Sequence, residues 1–280
     1  VTSVVLTLSC ADRLGIVQAV AGFLAERGLN IVESQQFGDA DSARFFMRVH
    51  AQPTFAGTDL DRLRLEFAEL AKEFEMTWEL HDFAERPNVL ILASRLGHCL
   101  NDLLYRYRSG SLKVAIPAVA SNHPDLGDLV RSYGISFHYV PGTKEEQEHH
   151  FASLISELDI DLVVLARYMQ ILSPAFVNGF SGRMINIHHG LLPSFKGAGA
   201  YRQAFEGGVK VIGATAHYVC AELDEGPIIE QMVSPIDHTC GPDRIASISR
   251  DLECSTLARA VQWHIEHRVL LNGRKTVVFR

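Results

Sequence analysis

The stretch Asp82-Phe83-Ala84-Glu85-Arg86-Pro87-Asn88-Val89-Leu90-Ile91-Leu92-Ala93-Ser94 separates two patterns of hydrophobicity. Before it, strand candidates alternate polar and apolar residues, as in a sheet with one buried face. After Pro87 a continuous apolar run begins, as in a strand covered on both faces. Proline ends regular structure here because it lacks the backbone donor. Two domains are therefore expected, 1-84 and 85-280, within a chain of 280 residues that is long enough for two modest cores.

Toward the N-terminus, Thr2 to Cys10 is β-branched and alternating, a strand. Asp12 is placed to cap a helix whose apolar stripe is Ile16, Val20, Phe23 and Leu24, with Gly28 at its C-terminal end. Two strand candidates, Asn30 to Phe37 and Ala43 to Ala51, flank the turn Gly38-Asp39-Ala40-Asp41. Leu60, Leu63, Phe67, Leu70 and Phe74 then recur at helical spacing, and Glu75 to His81 closes the unit as a strand. The order βαββαβ predicts a ferredoxin-like antiparallel sheet with both helices on one face.

Beyond Pro87, strands at Asn88–Ser94, Lys113–Ser121, Ser136–Val140 and Asp161–Ala166 alternate with helix candidates near 97–107, after Pro124, and at 144–158. This alternation predicts a Rossmann-like α/β domain with a mostly parallel sheet covered on both faces and its ligand at the carboxyl ends of the strands. Ser94-Arg95-Leu96-Gly97-His98, after the first of these strands, is neither GxGxxG nor a Walker A loop, although a helix N-terminus there could hold an anion.

The formal net charge of −7 argues against a general nucleic-acid binder; Lys196, Arg202 and Lys210 form at most a local basic patch. Five widely spaced cysteines without a CxxC suit a reducing compartment and neither a disulfide framework nor a cysteine-rich zinc site. No run approaches the ~20 apolar residues of a membrane span, and Val1-Thr2-Ser3 is strand-like rather than a targeting signal. A cytoplasmic protein without membrane contact is expected.

The chemistry concentrates after Met184. Met184-Ile185-Asn186-Ile187-His188 is a short strand whose period of two puts Asn186 and His188 on one face; His189 points away unless the strand has ended. A second strand, Val211 to Val219, leads to a loop carrying Asp224 beside Glu225-Gly226-Pro227. An amide, an imidazole and a carboxylate suit a carbonyl reaction in which negative charge grows on oxygen. Asn186 donates to that oxygen, His188 stabilises it and relays a proton, and Asp224 holds the imidazole and positions a water. The absence of HExxH or a carboxylate-spaced histidine pair gives no reason to expect a metal.

Four linked motifs carry a resemblance: Asn186-Ile187-His188, Leu192-Pro193-Ser194-Phe195-Lys196-Gly197, Gly213-Ala214-Thr215-Ala216-His217, and Leu223-Asp224-Glu225-Gly226-Pro227-Ile228-Ile229. Together they resemble the folate-dependent formyltransferase domain, over about residues 86–280. Asp12-Arg13-Leu14-Gly15-Ile16-Val17 with Gly28-Leu29-Asn30-Ile31 resembles an ACT domain, a small ligand-binding regulatory module. The two in this order, with Ser121-Asn122-His123-Pro124, resemble the formyltetrahydrofolate deformylase family.

That resemblance implies hydrolysis of 10-formyltetrahydrofolate to tetrahydrofolate and formate, within one-carbon and purine metabolism, with no cofactor beyond the folate substrate. It implies a catalytic set of Asn186, His188 and Asp224, supported by Thr215 and His217. Met169, Ile171 and Leu172, with Ala221, Glu222 and Leu223, are implied as the pterin pocket. An amino-acid effector, methionine or glycine, is implied near Asp12, Gly15 and Asn30, and pairing of ACT sheet edges implies a homo-oligomer. Two segments depart from the family: Gly190 stands where serine is common, and Ala198-Gly199-Ala200 where Ala-Arg-Pro is common. A transformylase acting on an amine, and a regulatory ACT protein without catalysis, are the alternative expectations.

Overall fold

The computed structural model describes residues 3–55, 57–194, 197 and 199–280. Thr2, Phe195, Lys196 and Ala198, on which parts of the expectations above fall, lie outside the described residues. Contacts divide the chain into two compact units: Val1–Glu85 with Glu266–Asn272 and Val277–Arg280, and Arg86–Ile265 with Gly273–Thr276.

The first unit runs β1 (Val4–Ala11), α1 (Ile16–Glu26), β2 (Leu29–Asp39), β3 (Arg44–Pro53), α2 (Leu60–Glu73), β4 (Thr77–Asp82). Its sheet has the order β2-β3-β1-β4 and is antiparallel throughout. Alternate residues Val4, Leu6 and Leu8 of β1 meet Ile16, Val20, Phe23 and Leu24 of α1 and Leu63 and Phe67 of α2 in one core. Asp59 caps α2 by accepting from the backbone N–H groups of Asp61 and Arg62. Asp12 does not cap α1. That helix starts from Gly15, whose φ of 96° only glycine adopts freely, and no side chain caps it.

The chain's last residues also join this unit, which the expectation of a second domain running to residue 280 did not include. Arg48 on β3 supplies a physical reason. Fully buried, it pairs with Glu33 at 2.7 Å and donates Nε and Nη2 to the Glu266 carbonyl at 3.1 and 3.0 Å. A buried guanidinium must satisfy its donors, and here part of that satisfaction comes from the C-terminal segment.

The second unit runs β5 (Asn88–Ala93), α3 (His98–Ser109), β6 (Ala115–Ser121), α4 (Gly127–Ser132), β7 (Ser136–Tyr139), α5 (Lys144–Glu157), β8 (Leu162–Ala166), α6 (Pro174–Asn178), β9 (Met184–His188), α7 (Ala200–Glu206), β10 (Val211–Tyr218), β11 (Ile228–Pro235) and α8 (Pro242–Ile265); short strands β12 (Val269–Asn272) and β13 (Lys275–Val278) follow. A capping box of Thr143 and Glu146 starts α5. The seven-stranded sheet has the order β11-β10-β9-β8-β5-β6-β7. Pairings from β7 to β9 are parallel; β9–β10 and β10–β11 are antiparallel. The chain builds outward from β5 through β6 to β7, then returns to the other side of β5 as β8. The reversal creates a crevice at the carboxyl ends of β5 and β8, the position at which open α/β sheets place ligands.

Candidate active site

Strand register assembles the polar groups. Facing residues on neighbouring antiparallel strands share a face of the sheet. Thr215 of β10 faces His188 of β9 on one side and Gln231 of β11 on the other, while His217 faces Asn186. The fully buried Thr215 hydroxyl donates to the Gly190 carbonyl at 2.8 Å and accepts from Leu192 N–H at 3.1 Å and Gln231 Nε2 at 2.9 Å. Its one donor and two acceptor positions are all used. Gln231 also donates to the Leu192 carbonyl at 2.9 Å, so the backbone leaving His188 is held at two points. Gln231 was not among the expected site residues: only the pairing of β10 with β11 reveals that it faces Thr215.

His217 orients Asn186. Its Nδ1 lies 2.8 Å from the Tyr218 carbonyl, which can only accept, so Nδ1 carries the proton. Burial lowers the pKa of this ring, outweighing the hydrogen bond to Tyr218 and the nearby Asp224 carboxylate, both of which favour the charged form. The neutral ring therefore offers a lone pair at Nε2, 3.2 Å from Asn186 Nδ2. Asn186 donates one amide hydrogen there and retains the second.

Asp224 reaches the same place from the loop between β10 and β11. It is 9% exposed, has a φ of 57°, and puts Oδ2 3.3 Å from His188 Nδ1 and 3.2 Å from the Gly197 N–H, which donates to it. Gly226 makes the loop possible: a Cβ there would lie 1.7 Å from the Tyr218 carbonyl oxygen, so no other residue fits without moving the backbone.

Asn186, His188 and Asp224 line one cavity of about 200 Å³ together with Met169, Ile171 and Leu172 on one wall and Ala221, Glu222 and Leu223 on another. Met169, Ile171 and Leu223 are 46%, 60% and 53% exposed, an apolar rim that a flat ligand would cover. Ser94, after β5, anchors the first wall: its hydroxyl accepts from Met169 N–H at 3.0 Å and donates to Asn122 Oδ1 at 2.9 Å. β9 ends at His188, so His189 turns toward the cavity instead of away, its ring 5.2 Å from that of His188.

Asp12, Gly15 and Asn30 are not brought together. Ala11, next to Asp12, pairs with Arg44 at one end of β3, whereas Asn30 pairs with Gln52 at the other end. At ~3.4 Å per residue that separation is about 27 Å, too far for one small ligand within a single copy.

Residues 87–261 match the formyl transferase family model, and residues 4–55 match the ACT domain. The formyltetrahydrofolate deformylase of Corynebacterium sp. (strain P-1) is 50% identical over 279 residues, covering 99% of this chain and 98% of that one. The chain belongs to the formyltetrahydrofolate deformylase family. The deformylase fold is shared throughout: the crystal structure of formyltetrahydrofolate deformylase from Burkholderia mallei superimposes with a TM-score of 0.94 at 48% identity, covering 100% of both chains. The phosphoribosylglycinamide formyltransferase of Anaplasma phagocytophilum is 34% identical with a TM-score of 0.65, covering 69% of this chain and 95% of its own. Deformylase architecture therefore accords with the expected ACT-type unit followed by an α/β unit with a mostly parallel sheet.

Proposed function

We propose that the chain hydrolyses 10-formyltetrahydrofolate to tetrahydrofolate and formate at Asn186, His188 and Asp224. The observation that carries the assignment of the site is the contact of His188 Nδ1 with Asp224 Oδ2, 3.3 Å apart, in the cavity that Asn186 also lines. The pterin lies between Met169, Ile171 and Leu172 and the loop Ala221 to Leu223. A water held by Asp224 attacks the formyl carbon, and its proton passes into the Asp224–His188 pair. Asn186, through its free amide hydrogen, and His188 stabilise the oxyanion. Collapse of the tetrahedral species breaks the bond to N10, which takes up a proton relayed by His188, and formate leaves. The balance closes with water and folate alone.

Formate release from 10-formyltetrahydrofolate with no amine present tests this reading. Steady release is expected; formate or formyl transfer appearing only on addition of an amine would establish a transformylase instead. Run across pH, the same assay should lose activity on acidification. The lowered pKa of His217 keeps its Nε2 an acceptor above the ordinary histidine value of 6.5; protonation at lower pH places a hydrogen against Asn186 and turns the amide. Stability follows the same sign. The unfolded ring binds its proton more readily than the folded one, so the stabilisation is complete above 6.5 and is lost as pH falls through the depressed folded value.

The ACT domain supports an amino-acid effector, methionine or glycine, bound between copies of a homo-oligomer. Asp12 and Gly15 of one copy would meet Asn30 of another, since one copy holds them at opposite ends of β3. Calorimetric titration of the full chain with each amino acid distinguishes the two, and absence of heat with both would leave the domain a purely structural element.

A further inference from the structure

β8 ends at Ala166 and α6 begins at Pro174; residues 167–173 between them form neither helix nor strand. This segment carries Met169, Ile171 and Leu172, the wall on which the pterin is proposed to lie. Met169 and Ile171 are exposed, so burial in the core does not fix them. A loose segment would have to be ordered as the ligand arrives, and that ordering would weaken binding. The segment is held from outside instead. At its start, the buried Tyr168 donates its hydroxyl to Gln147 Oε1 of α5 at 2.8 Å, and Met169 N–H donates to Ser94. At its end, both oxygens of Glu148, the next residue of α5, are used on Ser173. Oε1 accepts from the Ser173 backbone N–H and Oε2 from its hydroxyl, each at 2.5 Å. The same hydroxyl caps α6, accepting from Phe176 N–H at 3.2 Å. The start of α5 is a firm base for this grip: Thr143 and Glu146 close its capping box, and Gln147 Nε2 donates to the Gly142 carbonyl at 3.0 Å.

Ile171 and Leu172 directly precede Ser173, so the Glu148 grip acts on the exposed end of the wall. A carboxylate that accepts two bonds from one residue restrains both its position and its orientation. We propose that Glu148 is a positioning residue for folate binding, which by clamping Ser173 holds Ile171 and Leu172 where the pterin requires them. This rests on the deformylase reading above. Glu148 is not among the residues that line the cavity, and Asn186, His188 and Asp224 stand on other elements, β9 and the loop between β10 and β11. The clamp therefore acts equally on bound substrate and transition state, and its loss falls on KM rather than kcat.

The test measures KM and kcat for formate release from 10-formyltetrahydrofolate, and the Kd of tetrahydrofolate by calorimetry, on the full chain. E148A is expected to raise KM and Kd together by about tenfold, the scale of ordering a segment that was previously fixed. Its kcat should stay within about twofold of the wild type. E148D keeps the charge but is shorter by a methylene, cannot span both Ser173 groups, and should share the defect. E148Q keeps the reach: its amide oxygen accepts from the N–H and its amide nitrogen donates to the hydroxyl, so KM should return to within about threefold of the wild type. A merely structural role would leave fewer folded molecules, hence a lower kcat at unchanged KM, and that outcome overturns the proposal. So does a folded E148A with wild-type KM and Kd. Should E148A fail to fold, E148D decides on the same two constants, and wild-type values there overturn the proposal equally. Failure of the deformylase reading is read separately, as a wild-type chain that releases no formate without an amine.

Discussion

Replacing Asp224 by alanine is expected to lower kcat for formate release on the order of 10³-fold, within the range that positioned proton-transfer groups contribute, while tetrahydrofolate binding stays within a few-fold of the wild type. The carboxylate touches His188 and the Gly197 N–H. On the proposed mechanism its loss removes the group that positions the attacking water and the hydrogen-bonding partner of His188. The wall that includes Met169 should stay in place, because the Ser94 hydroxyl accepts from the Met169 N–H independently of Asp224. Asp224→Asn should be nearly as inactive, since an amide keeps the shape but not the charge. Steady-state formate release and a binding titration with tetrahydrofolate check both variants. A variant within tenfold of wild-type kcat would remove Asp224 from the reaction.

Asn186→Ala is expected to reduce kcat on the order of 10²–10³-fold, about 3–4 kcal/mol, the usual effect of deleting one donor to an oxyanion. The assignment depends on which way the amide points. His217 gives its Nδ1 hydrogen to the Tyr218 carbonyl, and burial keeps the ring neutral, so Nε2 accepts from Asn186 and leaves one amide hydrogen for the substrate oxygen. Asn186→Asp presents only acceptors to that lone pair, so it should be equally inactive and should make His217 easier to protonate. Measuring kcat for both variants, with the His217 titration followed by NMR, tests the chain of contacts. An active Asn186→Asp variant with an unchanged His217 titration would show that the amide hydrogen is not used. Asn186→Ala should also lower stability by about 1–3 kcal/mol, the cost of leaving the buried Nε2 without its donor.

Most of the architecture was legible because it depends on local pattern. The break at Pro87 and the change from alternating to continuous apolar strands separated the two folds, since a strand's periodicity reports how many of its faces are buried. Asn186 and His188 could be placed on one face from their spacing alone, and the motif around Asp224 supplied the third member of the set. The residues that the resemblance implies as a pterin pocket all line one cavity.

What sequence could not supply depends on contacts between distant segments. Arg48 draws the carbonyl of Glu266 into the first unit across 218 positions of chain, so the end of the second domain could not be read from composition. Asp12 and Asn30 belong to motifs adjacent in sequence, yet β3 holds them at opposite ends. Gln231 enters the site only because β11 runs antiparallel to β10 in a register that faces it with Thr215. The motif alone named His217; burial and the Tyr218 carbonyl together decide its protonation and therefore the direction of the Asn186 amide. Residue type and periodicity determine which groups are available and which face of an element they occupy. Tertiary structure decides which of those groups meet and in what protonation state, because desolvation and hydrogen bonding act only after the distant partners are in place.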